Sequence, residues 1–434
     1  MKKIIVILCA AVAFLACSKI ETPATFDPSK FVFDFKINYQ GDTKAAKAGW
    51  ETGDKVFIFF EGRSEGYVTM TYGASDWEAA VNNGVNLVFL SEDGSHCLAA
   101  MYLPYGNDAT PTYDSVEDKW TFSTGTDSYY LCDVGAYNIS IVDGLSTLTA
   151  SFDMNAPSGY IQFFIPDASA SGTIRMATTA MDPAGLDYID GSCNPAEIYG
   201  TTGAFITGYA ATVNGEKGYY FSGKKRATTE CYFAIEAGGN YYHYYKHLAA
   251  ALPDRAARKL PALSAMPQVG SGYYVTIGSQ SWSTVNYGGA KPWVYESKES
   301  QCLWPGADAA AWTAAGLSLN SGESVPTKDQ LDVLMTQTAG HQYWLSLAGV
   351  EGVLCVDKDD ASKYIFIPAT GVTPVAMDAQ VPGSSCLWST LENGDNAYVL
   401  EISEGMDTPS YDWADNVPKT GYCKLSVRPF YTAP

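Results

Sequence analysis

Apolar and polar residues alternate without a break from Phe31 to Tyr39. Phe31, Phe33, Phe35, Ile37 and Tyr39 fall on one side, and Val32, Asp34, Lys36 and Asn38 on the other. Successive side chains of a strand point to opposite faces, so this pattern predicts a strand with one apolar face to bury. The segment behind it, residues 41–49, is small and polar and carries Lys44 and Lys47. Such a stretch is a natural cutting place for a trypsin-like protease. A removable strand beside a basic cut point suggests assembly by strand replacement, in which a strand of another subunit fills the vacated groove. The plainer alternative is a first strand that never leaves, followed by an ordinary loop.

Strand signals continue with turn residues between them. Trp50-Glu51-Thr52-Gly53-Asp54-Lys55 is a turn feeding the apolar run Val56–Phe60, and Leu98–Tyr105 and Tyr160–Ile165 follow. No long helical period appears before residue 240, which predicts a β-sandwich pattern. Tyr241–Lys259 combines aromatic and basic residues and reads as a packed strand or helix edge; Tyr273–Ile277, behind Gly270 and Gly272, closes this half. The last third has another texture. Pro305–Gly316 is Ala-rich and predicts a short helix, and Thr327-Lys328-Asp329-Gln330 is a capping box ahead of the stripe Leu331, Leu334 and Met335. Tyr364–Pro368, Ala397–Ile402 and Leu425–Phe430 read as strands. Between the last two lies Ser403–Tyr422, a long polar loop with Met406, Asp407, Tyr411, Asp412, Trp413, Asp415 and Asn416.

Length and charge narrow the function classes. At 434 residues two or three domains are expected. Met1–Cys17 reads as a signal peptide, with Lys2 and Lys3 ahead of the apolar run Ile4–Ala16. Without it the chain holds 25 basic and 47 acidic residues, a net charge of −22. That argues against nucleic-acid partners and against docking on anionic lipid. Thirty tyrosines, forty glycines and only 17% charged residues fit an exported β-rich protein. Four histidines leave little material for His-based chemistry. Cys97, Cys132, Cys193 and Cys231, then Cys302, Cys355, Cys386 and Cys423, show no CxxC spacing, so zinc is not expected. Disulfides within each half are chemically allowed after export, and the sequence does not fix their pairing. No Gly-x-Ser-x-Gly, metal-binding His pair or phosphate loop is present, so neither an enzyme nor a cofactor is expected.

Several motifs resemble known families. Phe14-Leu15-Ala16-Cys17-Ser18 resembles a bacterial lipobox, which implies lipidation of Cys17 and an outer-membrane lipoprotein precursor. Thr43-Lys44-Ala45, Trp50-x-x-Gly53-Asp54-Lys55-Val56 and the Ala-x-Tyr-x-Pro-Tyr segment Ala100–Tyr105 resemble the fimbrillin family of Bacteroidales pilus subunits. The resemblance implies a mainly β chain with two transthyretin-like β-sandwiches in series. It also implies proteolytic processing after Lys47 or Lys44, Phe31–Tyr39 as the displaced strand, and other pilus subunits as partners. The family's usual cut is after Arg, whereas this chain offers only Lys there. From Trp282 to Phe430, the set Pro326–Leu331, Ile367–Gly371, Leu387–Thr390, Asn396–Tyr398 and Ser426–Pro429 is similar to the "major paralogous" domain, grouped with α+β C-type lectin-like folds.

The organisation expected is a signal peptide over 1–17, a tether and removable strand over 18–49, sandwiches over 50–170 and 171–278, and a lectin-like domain over 279–434. Tyr411, Asp412, Trp413, Asp415 and Asn416 are the candidate ligand-binding residues, for a glycan or protein ligand, because aromatic faces on a late polar loop suit recognition. Their carboxylates are of the kind calcium takes, but the ligand spacing of a sugar-binding C-type lectin is not clearly present, and no metal is expected. The function expected is a structural and adhesive subunit at the pilus tip, on the cell surface, since the C-terminal domain leaves no strand to donate after Phe430. The alternative is an outer-membrane lipoprotein that binds glycans for nutrient capture.

Overall fold

The computed structural model describes residues 31–40, 49–62, 66–82, 97–103, 110–123, 130–142, 145–295, 297, 300–376, 379–406 and 408–433. Cys17, Lys44, Lys47, Asp407 and the signal-like segment lie outside them. The chain is mainly β. Among the described residues no helix is long and apolar enough to cross a membrane.

The first nine strands are β1 (Phe31–Tyr39), β2 (Lys55–Phe60), β3 (Tyr67–Tyr72), β4 (Trp77–Asn82), β5 (Cys97–Tyr102), β6 (Thr112–Asp114), β7 (Lys119–Thr121), β8 (Leu131–Val142) and β9 (Leu145–Met154). Seven of them form a sheet in the order β1-β9-β8-β5-β2-β3-β4. β8 turns the sheet: its first half pairs with β5 and its second half with β9. This brings Phe35 and Ile37 of β1 and Phe152 of β9 into one core with Val56, Tyr102 and Tyr137. Val56–Phe60 of β2 are buried on both faces. A strand covered on both sides reads as a continuous apolar run rather than an alternation, as VFIFF does.

Next come β10 (Tyr160–Pro166), β11 (Thr173–Thr178), β12 (Met181–Asp182), β13 (Ala184–Asp190), β14 (Pro195–Tyr199), β15 (Ile206–Val213), β16 (Glu216–Lys225), β17 (Glu230–Ala237), β18 (Asn240–His247) and β19 (Ala257–Lys259). Their main sheet runs β18-β17-β11-β15-β16-β10-β19, with β12 on β16. A smaller sheet, β14-β13-β7-β6, joins strands from either side of residue 170. Trp120 of β7 meets Phe59 of β2 at 5.3 Å, so this shared sheet covers the outer side of β2.

The C-terminal block holds β20 (Tyr274–Ile277), β21 (Gln280–Ser283), helix α1 (Ala309–Ala314), β22 (Glu323–Ser324), helix α2 (Lys328–Gln337), β23 (Gln342–Leu347), β24 (Val350–Val356), β25 (Tyr364–Pro368), β26 (Thr373–Pro374), β27 (Ser384–Asn393), β28 (Asn396–Ser403), β29 (Ser410–Pro418), β30 (Cys423–Lys424) and β31 (Phe430–Tyr431). α2 opens on the predicted capping box, with the Thr327 side chain on the Gln330 N–H and the Gln330 side chain on the Thr327 N–H. Leu331, Leu334 and Met335 are buried behind it. Three expectations are corrected. Tyr274–Ile277 does not close the second sandwich but forms a hairpin with β21, which pairs with β31. Leu425–Phe430 is not one strand: Leu425 bridges to Cys302 and Ser426 to Leu387, and the Arg428 side chain is fully buried. Pro429 has no N–H for a ladder, and its carbonyl accepts from Ser283 N–H at 2.9 Å. The segment Ser403–Tyr422 is not a long loop either, because the 9-residue strand β29 runs through its middle.

Candidate functional site

β1 lies at the edge of its sheet and runs parallel to β9, in register from Phe31 opposite Ser146 to Tyr39 opposite Met154. Phe35 and Ile37 are buried, Phe33 and Tyr39 are half-buried, and Val32, Asp34, Lys36 and Asn38 are exposed. The predicted alternation therefore holds position by position along the strand from Val32 to Tyr39. On the outer face Asn38 and Gln40 donate side-chain N–H groups to Asp153 Oδ1, at 2.9 and 3.3 Å.

The two motifs set 50 residues apart in the sequence meet beside this strand. In Trp50-x-x-Gly53-Asp54, Gly53 adopts φ +95° and donates its N–H to Tyr72 O at 2.8 Å. Only glycine takes that conformation at little cost. Asp54, 3% exposed, accepts from Glu51 N–H and from the Tyr102 hydroxyl, both at 2.9 Å. Tyr102 belongs to the second motif. The turn so fixed swings Trp50 over the end of β1, where its indole Nε1–H donates to Ile37 O at 2.8 Å. The Trp50 ring is edge-on to Tyr39 at 5.1 Å and to Trp77 and Tyr102 at 5.0 Å. Sequence reasoning used the motif as a turn signal and missed that its tryptophan reaches β1; the spacing between strand and turn held no signal for that contact.

The candidate ligand residues of the C-terminal block all lie on β29, the edge strand of β27-β28-β29. Aspartate and asparagine are depleted in strands, so the sequence of β29 reads as a loop. Cross-strand pairing with the apolar β28 overrides that preference: Tyr411 faces Ile402, Trp413 faces Leu400 and Ala414 faces Val399. Tyr411, Asp412, Asp415 and Asn416 are exposed. Trp413 shares a face of the strand with Tyr411 but is only partly exposed and is engaged elsewhere. Its Nε1–H donates to Asp332 Oδ1 at 2.7 Å, and Lys328 Nζ sits 4.5 Å above its ring. The tryptophan thus ties the hairpin to α2, while the other four residues stay exposed on the edge strand. Trp388 is fully buried, with Nε1–H on Cys302 O at 2.8 Å.

Among the described residues every cysteine is a free thiol. Burial pushes the thiols of Cys193, Cys302 and Cys355 up to about 12 and those of Cys386 and Cys423 up to about 11, away from the low values that activate a nucleophile. No group of three or more His, Cys, Asp or Glu among the described residues suits a metal ion.

No family model matches the chain, and no curated protein matches it. Among solved structures, a fimbrial protein from Bacteroides ovatus is 10% identical, covering 92% of this chain and 99% of its own, at a TM-score of 0.24. The fimbrial anchor protein Mfa2 from Porphyromonas gingivalis is 10% identical, covering 58% of this chain and 96% of its own, also at 0.24. Both proteins are named for fimbriae; similarity this low assigns neither fold nor function to the chain.

Proposed function

We propose that this chain is an exported pilus subunit that joins its neighbours by strand replacement, with the C-terminal block as its adhesive end. One observation carries the reading: β1 fills the core with alternate side chains yet pairs with β9 and with no other described strand. Its removal would return Phe35 and Ile37 to water and open their sites in the core, at about 1.5–3 kcal/mol for each side chain. A vacated edge of that kind favours an incoming strand over solvent. Lys44 and Lys47, in the segment between β1 and Trp50, are the expected cut points for a trypsin-like protease. At the other end of the described chain, β31 is paired on both sides, by β21 and β22. A subunit that accepts a strand in one block and carries its adhesive residues in another suits the pilus tip. Tyr411, Asp412, Asp415 and Asn416 on the exposed edge are then the adhesive contacts, for a glycan or protein ligand.

The test is the N-terminus of the mature protein taken from the cell surface. A start at Ala48 or Ala45 is expected. A lipidated Cys17 with β1 still attached would end the strand-replacement reading and would fit a surface lipoprotein that captures glycans instead.

A further inference from the structure

We infer that Trp50 is a clamp for whichever strand occupies the β1 edge, and that it selects the incoming strand by a carbonyl and an aromatic side chain at fixed positions. The inference rests on the strand-replacement reading and adds to it what the partner strand must carry. Gln40 donates its backbone N–H to Met154 O at 3.1 Å. The N–H and C=O of one strand residue point the same way and alternate along the chain, so even-numbered residues of β1 face β9. The Ile37 carbonyl therefore faces the outer edge, and there the Trp50 indole N–H meets it at 2.8 Å. One residue pair further on, the Tyr39 ring lies against the Trp50 ring, which is backed by Trp77 and Tyr102. β1 is thus held on one side by the β9 ladder and on the other by a side chain that belongs to the residues behind the cut segment.

Cleavage after Lys47 would leave Trp50 as the third residue of the mature chain, still anchored through the Asp54 turn. The strand that suits this edge is an extended segment of a neighbouring subunit running parallel to β9. It carries bulky apolar residues where Phe33, Phe35 and Ile37 now stand and an aromatic residue at the place of Tyr39. An amide donor at the place of Asn38 would meet Asp153, fixing the register.

Two measurements test this. In the uncut full chain, hydrogen exchange of β1 amides is compared between wild type and Trp50→Phe, which keeps a ring and removes the indole N–H; β10 and β16 serve as an internal control for folding. Exchange in β1 about tenfold faster, the worth of one net hydrogen bond, with the control strands unchanged, is expected. In the cleaved chain, a labelled peptide of residues 31–39 is exchanged into the groove and its release is timed. Trp50→Phe and a Tyr39→Ala peptide should each speed release, and the two changes together should do so by less than the product of the single effects, since the rings touch. Equal β1 exchange and equal release overturn the clamp while leaving strand replacement standing. Failure of any peptide to enter the groove overturns strand replacement and, with it, the partner specificity; the uncut chain then still decides whether Trp50 clamps β1.

Discussion

His243 lies in the seam between the β17-β18 side of the eight-stranded sheet and the C-terminal block, with its ring 4.5 Å from that of Tyr364 and Nδ1 3.1 Å from the Tyr232 hydroxyl. Burial lowers its pKa from 6.5 to about 3. Between those values the unfolded chain binds a proton that the folded chain refuses. The stability tied to a neutral His243 is therefore complete above pH 6.5 and drains away on acidification, at no more than about 1.4 kcal/mol per pH unit. Chemical denaturation at pH 6.5 and 5 should show wild type losing about 1–2 kcal/mol more than His243→Asn, which cannot titrate; parallel losses would rule the mechanism out. On the outer edge of the C-terminal block, β29 separates two roles that its sequence runs together. Trp413→Phe removes a hydrogen bond to Asp332 and should lower unfolding free energy by about 1 kcal/mol. Tyr411→Ala, at a side chain 45% exposed, should stay within about 0.5 kcal/mol of wild type and, under the proposed function, weaken adhesion of cells that display the protein. A reversal of that order in denaturation would mean that Tyr411 is the structural residue and Trp413 the free one.

At the scale of single elements, the caps and the edge strand carry the clearest expectations. The reciprocal bonds between Thr327 and Gln330 at the start of α2 predict a loss of about 1 kcal/mol for Thr327→Ala, readable as a lower denaturation midpoint. That box was legible because it depends on four consecutive residues. β1 was legible for a related reason: an exposed outer face and a buried inner face write themselves as a period of two. Elements whose state is set by residues outside their own segment were not legible. β29 is a strand because Leu400 and Ile402 of β28 supply its partners, and nothing within Ser410–Pro418 announces that. Leu425–Pro429 has strand composition, but it threads between several elements: Trp388 donates to Ser426 O, Tyr287 to Val427 O and Arg428 to Ser283 O. Local pattern specifies a face to bury; it does not name the neighbour that buries it.

For the whole molecule, the seams matter more than the sheets. β6 and β7 pair with β13 and β14 across the stretch where two sandwiches were expected to part, and the first core includes Leu186, Ile189 and Tyr220. A second seam joins the eight-stranded sheet to the C-terminal block. Tyr232 stacks on Phe366 at 5.9 Å, the Tyr364 hydroxyl donates to His243 O at 3.3 Å, and Ala348 N–H donates to Gly203 O at 2.6 Å. Tyr232, Trp293, Leu347, Leu354 and Phe366 are all buried there in one cluster. Two bodies that share a buried aromatic interface lose it only together, so they should unfold in one step although each has its own sheet. Phe366→Ala would open a cavity worth about 3–5 kcal/mol at that seam without touching the inner core of Leu331, Ile367 and Leu400. Denaturation followed by hydrogen exchange should then show β17-β18 and β24-β25 opening together in wild type and at separate denaturant concentrations in Phe366→Ala. Separate opening already in wild type would mean that the C-terminal block rides on the sandwich as an independent head. Under the proposed function, force applied at β29 would then reach the rest of the chain through a hinge and not through a continuous core.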